Sequence, residues 1–132
     1  MPVMKKFALI ALFFSAAAFA DQIVLDNQTS YPAKNQKIAI QWASSAQEVD
    51  ANNKALMYGW KSSSDSIQVL KQKGKIVLTI PKKATYFRVV AWSNNETAPD
   101  YSTNWIDIVP DTTYTLETQH LTPVVLMSGM GC

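Results

Sequence analysis

The chain has 132 residues, with 12 basic and 10 acidic side chains and a formal net charge of +2. Two of the basic residues, Lys5 and Lys6, belong to a segment with the features of an export signal, so the remainder is charge-balanced, which disfavours a globally basic nucleic-acid binder. A single His and a single Cys exclude a four-ligand His/Cys zinc site, an intramolecular disulfide, and any Ser-His-Asp triad not built on His120.

Residues 1–20 read as a signal peptide: a cationic start at Lys5-Lys6, an apolar run from Phe7, and small residues ending Ala18-Phe19-Ala20. The apolar stretch is shorter than the ~20 residues that cross a bilayer, and no later segment approaches that length. The expected organisation is therefore a signal at 1–20 and one domain at 21–132, exported to the periplasm or beyond after cleavage near Ala20, with no stable membrane insertion and no cofactor. Cleavage leaves Phe87 as the one Phe beside four Trp and five Tyr, so most aromatics carry a polar N–H or O–H suited to cores and wet interfaces alike.

From Gln22 onward apolar residues recur at period two between clusters of Asn, Asp, Ser, Pro and Gly, the pattern of strands rather than helices. A first strand begins at Ile23–Leu25. In Lys37–Trp42 the residues Ile38, Ile40 and Trp42 share one face, the alternation of a half-buried strand. Ser44–Asn53 reads as a polar loop, with Ser45 and Glu48 spaced to cap one helical turn, and Lys54–Trp60 as a strand with Leu56, Tyr58 and Trp60 on one face. Ile67–Leu70 and Ile76–Ile80 flank Lys71-Gln72-Lys73-Gly74-Lys75 as the arms of a hairpin, with Gly74 supplying positive φ. Ala84–Trp92 is apolar on both faces, as a strand central in its sheet must be. A long polar loop, Ser93–Asn104, precedes strands at Trp105–Val109, Tyr114–Thr118 and Leu121–Met127. About seven to eight strands without helical crossovers imply an all-β, mostly antiparallel sandwich or small barrel.

Ile108-Val109-Pro110-Asp111-Thr112-Thr113-Tyr114 resembles the tyrosine-corner pattern of fibronectin type III and other immunoglobulin-like domains. A second, weaker match runs from Val77 through Pro81 to Tyr86, followed by Phe87–Trp92. The resemblance implies an antiparallel immunoglobulin-like sandwich in which a Tyr hydroxyl ties a corner to nearby backbone; it implies no active site.

Charge is unevenly distributed. Lys71, Lys73, Lys75, Lys82, Lys83 and Arg88 precede a stretch that holds Glu96, Asp100, Asp107, Asp111 and Glu117 and neither Lys nor Arg. The lysines are candidates for steering an anionic partner or for protecting a strand edge. Trp60, Trp92, Tyr101 and Trp105, with Trp42 and Tyr58, are candidates for a platform on which sugar rings stack, Tyr101 being the best placed for exposure. His120, Met127, Met130 and Cys132 are soft-ligand types, but one His does not match a blue-copper set, and no metal is expected. Cys132, behind Ser128-Gly129-Met130-Gly131, is a candidate for an intermolecular disulfide linking two copies in an oxidising compartment. Asp100, Asp107 and Asp111 form no recognisable acid pair, and Asn27-Gln28-Thr29 and Asn95-Glu96-Thr97 read as loop chemistry. The sequence thus predicts a small exported, non-enzymatic module that binds a protein partner, with a carbohydrate-binding module as the alternative and a compact hydrolase third.

Overall fold

The computed structural model describes residues 21–60 and 66–127. The signal peptide expected at 1–20, Met130 and Cys132 lie outside the described residues. The described chain is mostly β, and its strands form two sheets. In chain order the elements are β1 (Gln22–Asn27), β2 (Lys37–Ala43), α1 (Ala46–Tyr58), β3 (Ile67–Leu70), β4 (Gly74–Thr79), β5 (Tyr86–Trp92), β6 (Tyr101–Ser102), β7 (Ile106–Asp107), β8 (Thr113–Leu116), a 3-10 turn (Thr118–His120), β9 (Thr122–Pro123) and α2 (Val124–Met127).

One sheet has three strands in the order β4-β1-β8, with β1 antiparallel to β4 and parallel to β8. The larger sheet runs β3-β2-β5-β6-β9, and β7 also pairs with β5. Alternation assigns the faces. Ile23, Leu25, Leu78 and Leu116 from the small sheet meet Ile38, Ile40, Trp42, Leu70, Phe87, Val89 and Ala91 from the large one in a single core. The opposite face of β2 and β5 is also buried, through Ala39, Gln41, Arg88, Val90 and Trp92. A sheet buried on both faces reads as a continuous apolar run, and Phe87–Trp92 does so except at Arg88.

The covering on that second face is α1, a correction to the expected loop at Ser44–Asn53 and strand at Lys54–Trp60. Ser45 caps the helix, its Oγ accepting from Glu48 N at 3.2 Å, while Glu48 Oε1 accepts from Ser44 N at 2.9 Å. The spacing of Ser45 and Glu48 marks the start, but the helix continues for 13 residues. Its inward positions, Val49, Asn52, Asn53 and Leu56, follow helical period, yet the two asparagines interrupt the apolar stripe by which such a helix is recognised. They face a polar spot on the sheet.

Three further expectations are corrected. Ile67–Leu70 and Ile76–Ile80 form no hairpin: β3 pairs with β2 and β4 with β1, so Lys71–Lys73 carry the chain from one sheet to the other. Gly74, at φ +82°, turns the chain into β4. Asn27, 1% exposed, anchors this crossing; its Nδ2 donates to Tyr31 O (3.0 Å) and Gln72 O (3.2 Å), and its Oδ1 accepts from Thr29 N and Oγ1. Second, Leu121–Met127 is a two-residue strand followed by a helical turn; Val124 N still donates to Asp100 O at 2.9 Å, and the Pro123 nitrogen faces the free edge. Third, the polar stretch Ser93–Asn104 contributes β6, and only Ile106–Asp107 of Trp105–Val109 pairs.

The Tyr114 hydroxyl accepts from Val109 N at 2.9 Å and donates to Asp107 O at 3.0 Å. These bonds close the Pro110-Asp111 turn that carries the chain from the large sheet to β8. Tyr86, in the second matching stretch, instead heads β5 opposite Ala43 and Asp107. Tyr114→Phe removes both bonds while keeping the ring, and is expected to cost about 1–2 kcal/mol in urea unfolding; an unchanged midpoint would show that the turn holds without them.

Candidate functional site

The sequence-selected residues are dispersed by the fold. Lys71 and Lys73 stand on the crossing and Lys75 on β4, whereas Lys82 and Lys83 lie past the other end of that strand; all five are exposed. A six-residue strand separates the groups by about 20 Å, so they do not make one patch. Trp92 is 3% exposed, its Nε1 donating to Thr97 O at 3.2 Å. Lys37 Nζ lies 4.2 Å from the Trp92 ring centroid and Trp60 meets the ring edge-on at 6.0 Å. Trp42 is in the core against Phe87. Trp105 is half-buried with one face covered by the Arg88 guanidinium, 4.5 Å from its centroid. Tyr101 lines an open groove of about 490 Å³ with Met57, Pro99, Asp100, Pro123, Val124 and Val125. Asp100 is committed to Ser93, its Oδ1 accepting from Ser93 N at 2.8 Å and its Oδ2 bonded to Ser93 Oγ. Among the described residues no two of these rings make a flat, exposed pair.

Two constellations were not singled out in the sequence. The first is the polar spot beneath α1. Gln41 and Arg88 are direct cross-strand partners, both fully buried. Arg88 Nε donates to Gln41 Oε1 at 2.7 Å, Nη1 to Asn53 Oδ1 at 3.0 Å, and Nη2 to Asn52 O at 3.0 Å. Asn53 Oδ1 also accepts from Trp105 Nε1 at 2.8 Å. Burial pushes Arg88 down to about 10, so the group is still a cation at neutral pH. Its hydrogen-bond partners among the described residues are neutral, and Gln41 Nε2 is buried without a partner there. The arrangement clamps a helix to a sheet. Its sequence signal is a lone charge within an otherwise apolar seven-residue strand.

The second constellation is an open seam between the sheets. Among the described residues β8 is an edge strand, joined to β1 and to nothing on its other side. Val24 N donates to Thr112 O at 3.0 Å and Gln28 N to Leu116 O at 2.8 Å; since successive residues direct their backbone groups to opposite sides of a strand, those of Thr113 and Thr115 point away from β1. Beside that free edge lies a cleft of about 410 Å³. Its floor is core: Leu25, Phe87, Val89, Ile106, Tyr114 and Leu116. Its rim is polar, including Asn104, Thr115, Gln119 and His120. The rim is held by reciprocal bonds across the 3-10 turn, where His120 Nδ1 accepts from Glu117 N at 2.9 Å and the Glu117 side chain accepts in return from the backbone. No sequence pattern marks this seam, because it arises where a broken strand, β6–β7, lies opposite the last strand of a narrower sheet.

Among the described residues no group of three or more His, Cys, Asp and Glu is placed to hold a metal ion, and no helix is long and apolar enough to cross a membrane. No protein-family model matches the chain, and no curated protein is similar to it in sequence.

Proposed function

We propose that the chain is an exported, non-catalytic binding module with an immunoglobulin-like arrangement of its two sheets, and that it takes an extended segment of a protein partner as an added strand beside β8. The observation that carries this is the coincidence of unpaired backbone groups at Thr113 and Thr115 with the apolar-floored seam next to them. Main-chain hydrogen bonds supply affinity in strand addition, and pockets for alternate side chains supply specificity; β8 has the first and the seam the second. The Tyr114 corner supports the immunoglobulin-like arrangement, and the residues at 1–20 support export. Binding carbohydrate would rest on Tyr101 and on Tyr58, exposed at the end of α1.

Backbone resonances followed by NMR during titration with a synthetic peptide of alternating Val and Thr test the proposal. Saturable shifts are expected at β8, β6 and β7. Thr115→Pro removes a single outward N–H, a change that edge strands tolerate, and should abolish the shifts while the protein stays folded. Shifts that map elsewhere, or a folded proline variant that binds as before, would refute strand addition at β8.

A further inference from the structure

The seam has a charge as well as a shape, and we infer that its partner is a free extended segment carrying Lys or Arg at its ends, with apolar side chains at alternate positions between them. This rests on the strand-addition proposal above and adds the chemical class of the partner.

Two exposed carboxylates flank the β8 edge. Asp111 stands just before the strand and Glu117 just after it. Asp107 on β7 gives no acid to the seam: its neighbour Ile106 lines the floor, so the Asp107 side chain takes the other face of the large sheet. Asp26, on the neighbouring strand, is in register with Thr115. No Lys or Arg occurs between Val89 and Met127, and Arg88 is sealed under α1. The basic residues of this sheet, Lys75 on β4 with Lys82 and Lys83 beyond it, belong to the opposite edge, two strand spacings or about 10 Å away, a separation at which exposed charges are strongly screened at physiological salt. A strand laid along β8 therefore has an acid at either end. Opposite charges at such positions favour pairing, and like charges oppose it.

The same observations exclude two edges of a second copy. Two β8 strands paired antiparallel would set Asp111 against Glu117 at both ends. The β4 edge has the complementary charge, but its inward residues Ile76, Leu78 and Ile80 already pack into their own core, leaving nothing to fill a neighbour's seam. A segment without a core of its own can offer both the backbone and the side chains.

Binding of Lys-flanked, Glu-flanked and uncharged alternating Val/Thr peptides, measured by calorimetry at low and high salt, decides the matter. The Lys-flanked peptide should bind about tenfold more tightly than the uncharged one at low salt and lose that advantage at high salt. In the Asp111→Lys/Glu117→Lys variant the preference should reverse toward the Glu-flanked peptide, a result that general damage to the fold does not produce. Equal binding of all three at every salt concentration would overturn the charge assignment and leave strand addition standing; binding of none by the folded wild type would overturn both. Concentration-dependent self-association that masks the Thr113 and Thr115 amides from hydrogen exchange would make a second copy the occupant, and would overturn the inference.

Discussion

Arg88→Met is expected to destabilise the protein by about 3 kcal/mol or more in urea unfolding, the largest effect of any substitution at a polar position. The side chain is fully buried and joins β5, β2 and α1 through three hydrogen bonds to neutral acceptors. Hydrogen bonds to a charged donor contribute about 1.5–3 kcal/mol each, and removing the donor leaves buried acceptors unsatisfied. Met supplies the volume but none of the bonds. The Gln41 amide then has neither of its polar atoms paired, since Nε2 already lacks a partner among the described residues. Arg88→Lys is expected to fail almost as badly, because one ammonium cannot present donors in the fork that reaches Gln41, Asn52 and Asn53 together. The double substitution Gln41→Leu/Arg88→Met should recover about 1–2 kcal/mol of the loss, as an apolar pair replaces a stranded amide. Asn53 is left unchanged in that test because it still receives the Trp105 N–H. Amide hydrogen exchange locates the effect: protection should fall first in α1, whose inward face depends on these bonds. A cost below about 1 kcal/mol for Arg88→Met would mean that Leu56 and the capped N-terminus hold the helix alone.

This cluster also explains where the sequence is legible and where it is not. Strands β2 and β5 are readable because period-two alternation in Ile38–Trp42 and an apolar run through Phe87–Trp92 report burial directly. Helix α1 is not, because its inward face was matched to Arg88 and Gln41 rather than to leucines; a helix recognised by an apolar stripe disappears when its partner surface is polar. Ser45 and Glu48 are a local signal and mark the start correctly, whereas the length of the helix is a tertiary property. The Lys71–Lys75 link shows the opposite failure. Gly74 does supply a positive φ, but whether two strands joined by such a turn pair with each other or with β2 and β1 depends on Asn27 and on the packing of Leu70 and Leu78, none of which is local. The aromatic candidates fail for a related reason: a Trp contributes the same letter whether it fills a core, as Trp42 does, covers a cation, as Trp105 does, or lies on an edge, and only the fold distinguishes these. The seam beside β8 is the least legible feature, since it is a gap between residues that are each unremarkable as core.

Phe87→Ala is expected to cost about 3–5 kcal/mol, the usual range for truncating a buried aromatic. Phe87 is fully buried at the junction of the two sheets. Its ring meets Tyr114 edge-on at 5.0 Å and Trp42 at 6.1 Å, so it spaces β5 from β8 and forms part of the seam floor. Truncation removes the ring contacts and joins the vacated volume to the cleft. Because the cleft is already open on one side, water can enter the enlargement, and the loss should lie in the middle of the range rather than at its upper end. Phe87→Leu, which keeps most of the apolar volume, is expected to cost about 1–2 kcal/mol. The two variants separate stability from recognition. Phe87→Leu should remain folded with a reshaped floor, so its preference among extended peptides should shift toward larger inward side chains while the contribution of the Thr113 and Thr115 backbone is unchanged. Guanidinium unfolding supplies the energies and peptide titration the preference. A Phe87→Ala cost below about 1.5 kcal/mol would show that β8 collapses onto β5 when the ring is removed, and that the seam is a consequence of this one side chain rather than of the unequal widths of the sheets.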